Sequence, residues 1–166
     1  MTAGLPEMPT PKDLAKFFQL ALRLRLVDAA AVERWAEAQA QVLPKVDYPL
    51  TELCRASALS GTRIDALLGE VPGTAGERVP GRLVLALVGK RWRENQLPSS
   101  VAIRMAYDVA CLGALSDEER SRASGLDDTL QLAASGIYGD EGIVRTAALA
   151  FFECYSEYEP HLPAST

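Results

Sequence analysis

The residues that could carry chemistry in this chain are few and widely separated. His161 is the single histidine, and it lies between Pro160 and Pro163 near the C-terminal end. A nucleophile–base pair or a metal site built on histidine would need this residue to fold back onto the rest of the chain. We therefore predict neither a catalytic nor a metal-ligating role for His161.

Acidic residues occur as three adjacent pairs, Glu118-Glu119, Asp127-Asp128 and Asp140-Glu141. Neighbouring residues on a helix point about 100° apart, so the two carboxylates of a pair do not converge on one substrate. Helix N-caps and first-turn acids explain all three pairs.

The cysteines and glycines also lack the spacing of a reactive site. Cys54, Cys111 and Cys154 lie far apart without a CxxC pair, which argues against a zinc site or a disulfide scaffold and predicts buried apolar residues. The glycines at 69, 73, 76 and 81 lack the Gly-Lys-Ser/Thr ending of a phosphate-binding loop. The sequence thus predicts a protein that is not an enzyme and binds no metal and no cofactor.

Length and composition are those of a globular domain. The 166 residues are 48% hydrophobic and 23% charged, and no apolar stretch approaches the length of a membrane span. The N-terminus shows no basic region followed by an apolar run, so we expect no signal peptide and a cytoplasmic protein that does not contact a membrane.

Charge is unevenly distributed along the chain. Residues 1–104 hold 14 Lys/Arg and 11 Asp/Glu, whereas residues 105–166 hold 3 Lys/Arg and 11 Asp/Glu. An acidic surface would repel nucleic acid and speed the encounter with a basic protein. The alternative is that these acids only form solvated helix faces.

Apolar residues at three- and four-residue steps predict helices throughout, and no segment shows the alternation of a strand. We expect an all-α fold, an irregular bundle of seven or eight helices packed around a buried helix at 80–95. The predicted helix starts include Thr10 with Asp13 in a capping box, Asp28, Ser116 and Asp140. Further predicted caps are Thr62, Ser99 or Ser100, and Asp127. The less regular predictions are a helix at 49–59, two short helices at 116–125 and 127–135, and a long one at 140–158.

The domain organisation follows from these segments. Residues 1–10 read as a flexible lead, 11–159 as a single helical domain and 160–166 as a tail. The loop at 71–76 joins two halves of that domain or two subdomains.

Residues 50–68, LTELCRASALSGTRIDALL, resemble the helix-turn-helix of bacterial repressor-type regulators. The resemblance implies core positions at Leu53, Ala56, Ile64 and Leu67. It places Thr62, Arg63 and Asp65 near the DNA groove. The segment departs from the pattern at Ala58, where the family usually has a turn glycine, and it has few cations for phosphate contacts. Nucleic acid is therefore not the partner we expect.

In layout the chain is similar to the small acidic immunity proteins of bacterial toxin–immunity pairs, which are often single helical domains without catalytic residues. Two segments near the C-terminal end join tyrosines, which are frequent in interfaces, to acids that would attract a basic toxin. The residues predicted to contact the partner are Tyr138, Asp140, Glu141, Tyr155, Glu157, Tyr158 and Glu159. The alternative for Tyr138 and Tyr155 is a half-buried position in the core.

The sequence thus favours a non-catalytic protein-binding module, with neutralisation of a basic toxin as its most concrete form. A DNA-binding regulator is the first alternative. The second is a homo-oligomeric scaffold subunit, in which the apolar helix at 80–95 and Trp35 would supply an interface.

Overall fold

A computed structural model describes residues 8–164 and residue 166 of the chain. Within this described part, eight α-helices and two short 3₁₀ helices are present and there is no strand, which confirms the all-α bundle. The α-helices are α1 (Pro11–Arg23), α2 (Ala29–Val42), α3 (Tyr48–Leu53), α4 (Gly61–Glu70), α5 (Val79–Arg93), α6 (Ser99–Cys111), α7 (Asp117–Ala134) and α8 (Glu141–Glu153). The 3₁₀ helices are Ala56–Ala58 and Ser156–His161.

The described chain divides into two compact units, with the boundary after Pro80. Of the described residues, unit 1 contains 8–80, 161–164 and 166, and unit 2 is Gly81–Pro160. Residues 1–7 of the predicted lead lie outside the described residues. The single domain predicted over 11–159 stays a prediction beside this division.

Unit 1 is built on the apolar face of α1. Phe17 and Phe18 are fully buried, and the Phe18 ring lies 5.1 Å from that of Trp35 on α2. On the other side, the Gln19 side-chain amide donates to the backbone carbonyl of Asp65 on α4 at 2.9 Å. Neighbouring residues of α1 therefore contact α2 on one side and α4 on the other.

Unit 2 is built on α5, as its apolar composition predicts. All residues from Leu83 to Val88 are buried, so every face of this stretch is covered. Gly89 lets α5 approach α8 closely, because a Cβ at this position would lie 2.9 Å from the Cβ of Phe152.

Four of the predicted helix starts are confirmed. Thr10 and Asp13 form a capping box on α1, and Asp28, Ser116 and Asp140 each accept a hydrogen bond from the backbone of their helix. Two other predicted caps are wrong. Ser60, not Thr62, caps α4, and α6 begins after Pro98 without a side-chain cap.

The predicted break at residues 125–127 is also wrong, since α7 runs without interruption through Gly125 and Asp127. Asp127 is not a cap: its carboxylate is buried, accepts from Gln131 at 2.6 Å and lies 3.5 Å from the guanidinium of Arg104. A glycine costs an α-helix only about 1 kcal/mol, which these interactions offset.

Two further boundaries differ from the prediction. The predicted helix at 49–59 ends as an α-helix at Leu53 and resumes as the 3₁₀ helix Ala56–Ala58. The predicted helix at 140–158 ends at Glu153 and is followed by the second 3₁₀ helix.

The α1–α2 turn of unit 1 and the α5–α6 turn of unit 2 have the same backbone geometry. Corresponding residues of the two turns are 70 positions apart in the sequence. In unit 1 the N–H of Leu26 donates to the carbonyl of Ala21, and in unit 2 that of Gln96 donates to Arg91, both at 2.8 Å. Arg25 and Asn95 hold the left-handed position, with φ of 57° and 58°. Both turns are therefore Schellman motifs that join two helices.

Candidate functional site

Unit 2 contains a groove of about 770 Å³ between the α5–α6 turn, the end of α7 and the start of α8. We call it the Trp92 groove. Its apolar wall is made by Leu97, Pro98, Leu130, Ala133, Ala134 and Val144. Its polar groups come from Asn95, Gln96, Ser99, Ser100, Glu141 and Arg145.

The Trp92 indole is held in place from several directions. Its Nε1–H donates to Ser99 Oγ at 3.0 Å, and its ring lies 5.7 Å from that of Phe152. The Arg145 guanidinium lies 5.6 Å from the centre of the indole ring, close enough for a cation–π interaction. With only 5% of its surface exposed, Trp92 is a rigid aromatic base for the groove.

The polar turn of the groove is fixed by the backbone. Asn95 adopts a positive φ, a conformation that asparagine tolerates better than most residues, and its N–H donates to the Trp92 carbonyl at 3.0 Å. This arrangement leaves the Asn95 and Gln96 side chains exposed along one wall.

Residues 135–140 form the loop between α7 and α8, and this loop adjoins the groove because Ala134 and Glu141 both line it. Ile137 and Tyr138 in the loop are 73% and 70% exposed. Positive φ values at Gly136 and Gly139 bracket these two residues. The loop thus presents two large apolar side chains to solvent beside the groove.

The groove has the size and the lining to hold an apolar group. Its volume falls within the range of about 300–1,000 Å³ that is typical of ligand sites. Among its lining residues the charged groups are one carboxylate and one guanidinium, and the guanidinium stacks on Trp92. Its polar groups can orient a bound segment, and its apolar wall can bury one.

The seven predicted contact residues lie in three places in unit 2. Tyr138, Asp140 and Glu141 belong to the loop and the start of α8, beside the Trp92 groove. Asp140 is also the N-cap of α8 and accepts from the Ile143 N–H at 3.0 Å. Glu159 is paired with Arg93.

The other three, Tyr155, Glu157 and Tyr158, line a second and smaller cavity of about 170 Å³, which we call the Tyr155 cavity. Its remaining lining residues are Arg82, Glu119, Arg122 and Cys154. Tyr155 and Tyr158 are buried, so their rings offer a partner almost no surface. This is the core position that the sequence left open for Tyr155, whereas Tyr138 is exposed.

An ion pair forms one side of the Tyr155 cavity. Arg82 Nε donates to Glu119 Oε1 at 2.8 Å and Arg82 Nη1 donates to the Tyr158 hydroxyl at 3.2 Å. Burial alone would raise the pKa of Glu119, but hydrogen bonds from Ser116 and Arg82 outweigh it, and the pKa is lowered. Burial likewise opposes the charge of Arg82, yet its partners Glu119 and Tyr158 raise its pKa.

The segment that resembles a helix-turn-helix forms α3 and α4. Its predicted core residues, Leu53, Ala56, Ile64 and Leu67, are buried. Of the residues predicted near the DNA, Arg63 donates to the Tyr48 hydroxyl at 3.2 Å and Asp65 lies 3.8 Å from Arg23. DNA contact by this segment stays an alternative to the favoured prediction of protein binding.

Two further observations on the described residues concern metal binding and membrane spans. They contain no cluster of three or more His, Cys, Asp or Glu that could hold a metal ion. Nor does any helix in the described ranges combine the length and the apolar character that crossing a membrane requires. The residues invoked for a scaffold interface, Trp35 and the apolar stretch of α5, are buried.

The fold and the groove together define an all-α protein whose unit 2 contains a groove with an apolar wall and several polar groups. The chain matches no known protein family, no curated protein and no solved structure. The groove residues themselves were missed from the sequence, because Trp92 continues the apolar pattern of α5 and so predicts a core position. The turn Asn95-Gln96-Leu97-Pro98 that follows it was the available signal.

Proposed function

We propose that the chain is a non-catalytic protein-binding module, and that unit 2 holds an apolar segment of a basic partner in the Trp92 groove. The observation that carries the proposal is the apolar wall of the groove beside the exposed Ile137 and Tyr138. Adjacent exposed apolar residues next to a concave surface are typical of binding sites.

The rigidity of the groove supports binding of a protein segment. Trp92 is buried and is fixed by Ser99, Phe152 and Arg145, so the base of the groove keeps its shape when a partner packs against the exposed walls. Tyr138 supplies a large, amphipathic ring of the kind that dominates interface energetics. The groove would thus provide a preformed pocket and the loop would provide contact area.

Charge supports a basic partner. Residues 81–160 contain 12 Asp/Glu and 8 Lys/Arg. Glu141 lies at the groove and is exposed, and the adjacent Asp140 is exposed as well. Acids at the edge of an interface increase the association rate with a basic protein and disfavour acidic ones.

Neutralisation of a toxin by a cytoplasmic bacterial immunity protein is the most concrete form of this proposal. It rests on the acidity of unit 2 and on the layout shared with such proteins. The captured partner would then be a basic protein that arrests growth when expressed alone. Co-expression of this chain, but not of its Glu141→Lys variant, would restore growth.

Differential capture from the native cell lysate tests the binding site. The immobilised chain is compared with Tyr138→Ala, Glu141→Lys and the control Glu153→Lys, and the captured proteins are quantified by mass spectrometry. The Glu153→Lys control reverses the same charge on the same helix. Its position is about 18 Å from Glu141, at a rise of about 1.5 Å per residue. Asp140 is left intact because its replacement would also remove the α8 cap.

The proposal predicts one basic protein that the wild type and Glu153→Lys retain and the two groove variants lose. Affinity should fall at least tenfold for Tyr138→Ala, about 1.4 kcal/mol, as for a typical hot-spot tyrosine. Equal capture by all four proteins would show that the partner does not use this groove.

A further inference from the structure

The predicted buried positions of the three cysteines are wrong, since Cys54 is half-buried and the other two are exposed. The three thiols lie in chemically different surroundings. The thiol of Cys54 donates to the carbonyl of Leu50 at 3.3 Å. Burial, followed by the carboxylates of Glu37 and Glu33, raises the pKa of Cys54. A thiol that stays protonated reacts slowly with oxidants, so Cys54 is a built-in reference of low reactivity.

Cys111 is exposed on α6, and its partner is the hydroxyl of Tyr107. The hydrogen bond with Cys111 is the largest cause of the raised pKa of Tyr107. Cys111 therefore serves as a second reference, because it is exposed like Cys154 but is partnered by a neutral hydroxyl.

Cys154 is also exposed, and its thiol donates to the carbonyl of Ala150 at 3.4 Å as Cys54 does to Leu50, but Cys154 has a cation as a further partner. Arg122 Nη2 lies 3.1 Å from Cys154 Sγ and donates to it, and the same guanidinium lies over the Phe151 ring at 5.8 Å. The hydrogen bond to Cys154 is the largest cause of the raised pKa of Arg122, so the guanidinium stays charged. A positive charge beside sulfur assists reactions that proceed through an anionic sulfur.

The Tyr155 cavity adds a second, independent feature on the same side. Tyr155 is only 3% exposed, and its hydroxyl has no hydrogen-bond partner among the described residues. The charged groups that act on this hydroxyl belong to lining residues of the cavity, Glu119, Arg122, Cys154 and Arg82. A buried, unpaired donor is costly unless something accepts from it.

We infer that Cys154 is a site of reversible oxidation by hydrogen peroxide, and that Arg122 and Tyr155 hold the resulting sulfenate oxygen in the Tyr155 cavity. The thiolate sulfur attacks one peroxide oxygen, so that an S–O bond forms and the O–O bond breaks. Sulfur gives up two electrons to the peroxide. The departing hydroxide takes the proton of the sulfenic acid, which leaves a sulfenate and water.

The surroundings can stabilise this product. Arg122 pairs with the negative charge, and the cavity of about 170 Å³ has room for one added oxygen. Burial raises the pKa of Tyr155, so its hydroxyl retains a proton to donate. Glu119 does not accept from this hydroxyl, which is unpaired; its two oxygens accept from Arg82 and from the Ser116 N–H.

Trapping of the sulfenate tests the inference on the full chain. The reduced protein is exposed to less than one equivalent of hydrogen peroxide with dimedone, and labelling at each cysteine is measured by peptide mass spectrometry. Labelling at Cys154 should be about tenfold faster than at Cys111 or Cys54, the effect of one charge-assisted hydrogen bond. This comparison needs no variant and therefore no assumption about folding.

The Tyr155→Phe variant then tests the cavity. Because it removes only an unpaired hydroxyl, the melting temperature should stay the same or rise. The lifetime of the Cys154 sulfenate, measured by delayed addition of dimedone, should fall severalfold, whereas Tyr48→Phe should leave it unchanged. Equal labelling of Cys154 and Cys111, or an unchanged lifetime in Tyr155→Phe, would overturn the inference.

Discussion

Replacing Asp13 with alanine should destabilise unit 1 more than the loss of an ordinary helix cap. Asp13 is buried, and its two carboxylate oxygens have different partners. Oδ2 accepts from the Thr10 N–H at 2.8 Å as part of the α1 capping box, and Oδ1 accepts from the Gly76 N–H at 2.7 Å. One side chain thus fixes both the start of α1 and the loop before α5.

The expected magnitude follows from these two interactions. Loss of the capping interaction costs about 1 kcal/mol. Loss of the acceptor for the Gly76 N–H adds about 1 kcal/mol, the net contribution of an ordinary hydrogen bond, because Gly76 is exposed and water can replace the carboxylate. We expect Asp13→Ala to lower the free energy of unfolding of unit 1 by about 2 kcal/mol in total.

Urea unfolding measures the effect, with Asp28→Ala as the matched control. Asp28 is exposed and caps α2 by one hydrogen bond to the Ala31 N–H, so its loss should cost about 1 kcal/mol. The fluorescence of Trp35 reports on unit 1 when Trp92 is replaced by phenylalanine. Equal destabilisation by the two variants would mean that the Asp13–Gly76 bond contributes nothing, and the reasoning would be refuted.

Three further predictions concern packing, backbone and pH. Gly89→Ala should cost about 1–3 kcal/mol, measured by thermal unfolding, because the new methyl group would press on Phe152. Arg25→Gly should instead stabilise by about 1 kcal/mol in urea, since glycine adopts the positive φ of this turn without steric cost. The pKa of Glu119 is lowered in the folded chain, so its contribution is present above the ordinary carboxyl pKa and is lost as the pH falls through the lowered value. Glu119→Gln, which weakens the pair with Arg82, should therefore reduce stability at pH 7. Between pH 5 and pH 3 the variant should lose less stability than the wild type, as urea midpoints across that range would show.

Helix starts could be predicted from the sequence where the cap is a local interaction. Thr10 with Asp13, and Ser116 with Glu119, are three residues apart, and each pair makes both bonds of a capping box. Asp28 and Asp140 bond to backbone groups three residues on. Such contacts depend on few neighbours, so spacing alone identifies them.

Prediction failed where a distant side chain decides the local structure. Ser99 is a good candidate for an N-cap, but its hydroxyl oxygen accepts from the Trp92 indole and the helix starts without it. Asp127 also looks like a cap, but pairing with Arg104 on α6 holds it inside α7. No spacing rule within one helix contains these partners.

The candidate site was found only in part for the same reason. The sequence pointed to the region of Tyr138 and Glu141 through its tyrosines and acids, and these residues lie at the edge of the groove. It also pointed to Tyr155 and Tyr158, because a tyrosine next to an acid gives the same sequence pattern on a surface and in a core. Arg82, seventy-six residues before Tyr158, provides the hydrogen bond that distinguishes the two settings.

Comparison of the two Schellman turns explains why the groove occurs in unit 2. The turns share their hydrogen bonds and backbone conformation, so the difference between them lies in the side chains. Leu26, which follows the left-handed residue in unit 1, is buried, whereas Gln96 at the same position in unit 2 is exposed and lines the groove. A buried leucine at such a turn contributes about 1.5–3 kcal/mol of hydrophobic stabilisation, which unit 2 forgoes at this position. A polar residue that leaves an apolar wall open to solvent is expected where binding, rather than stability, determines the side chain.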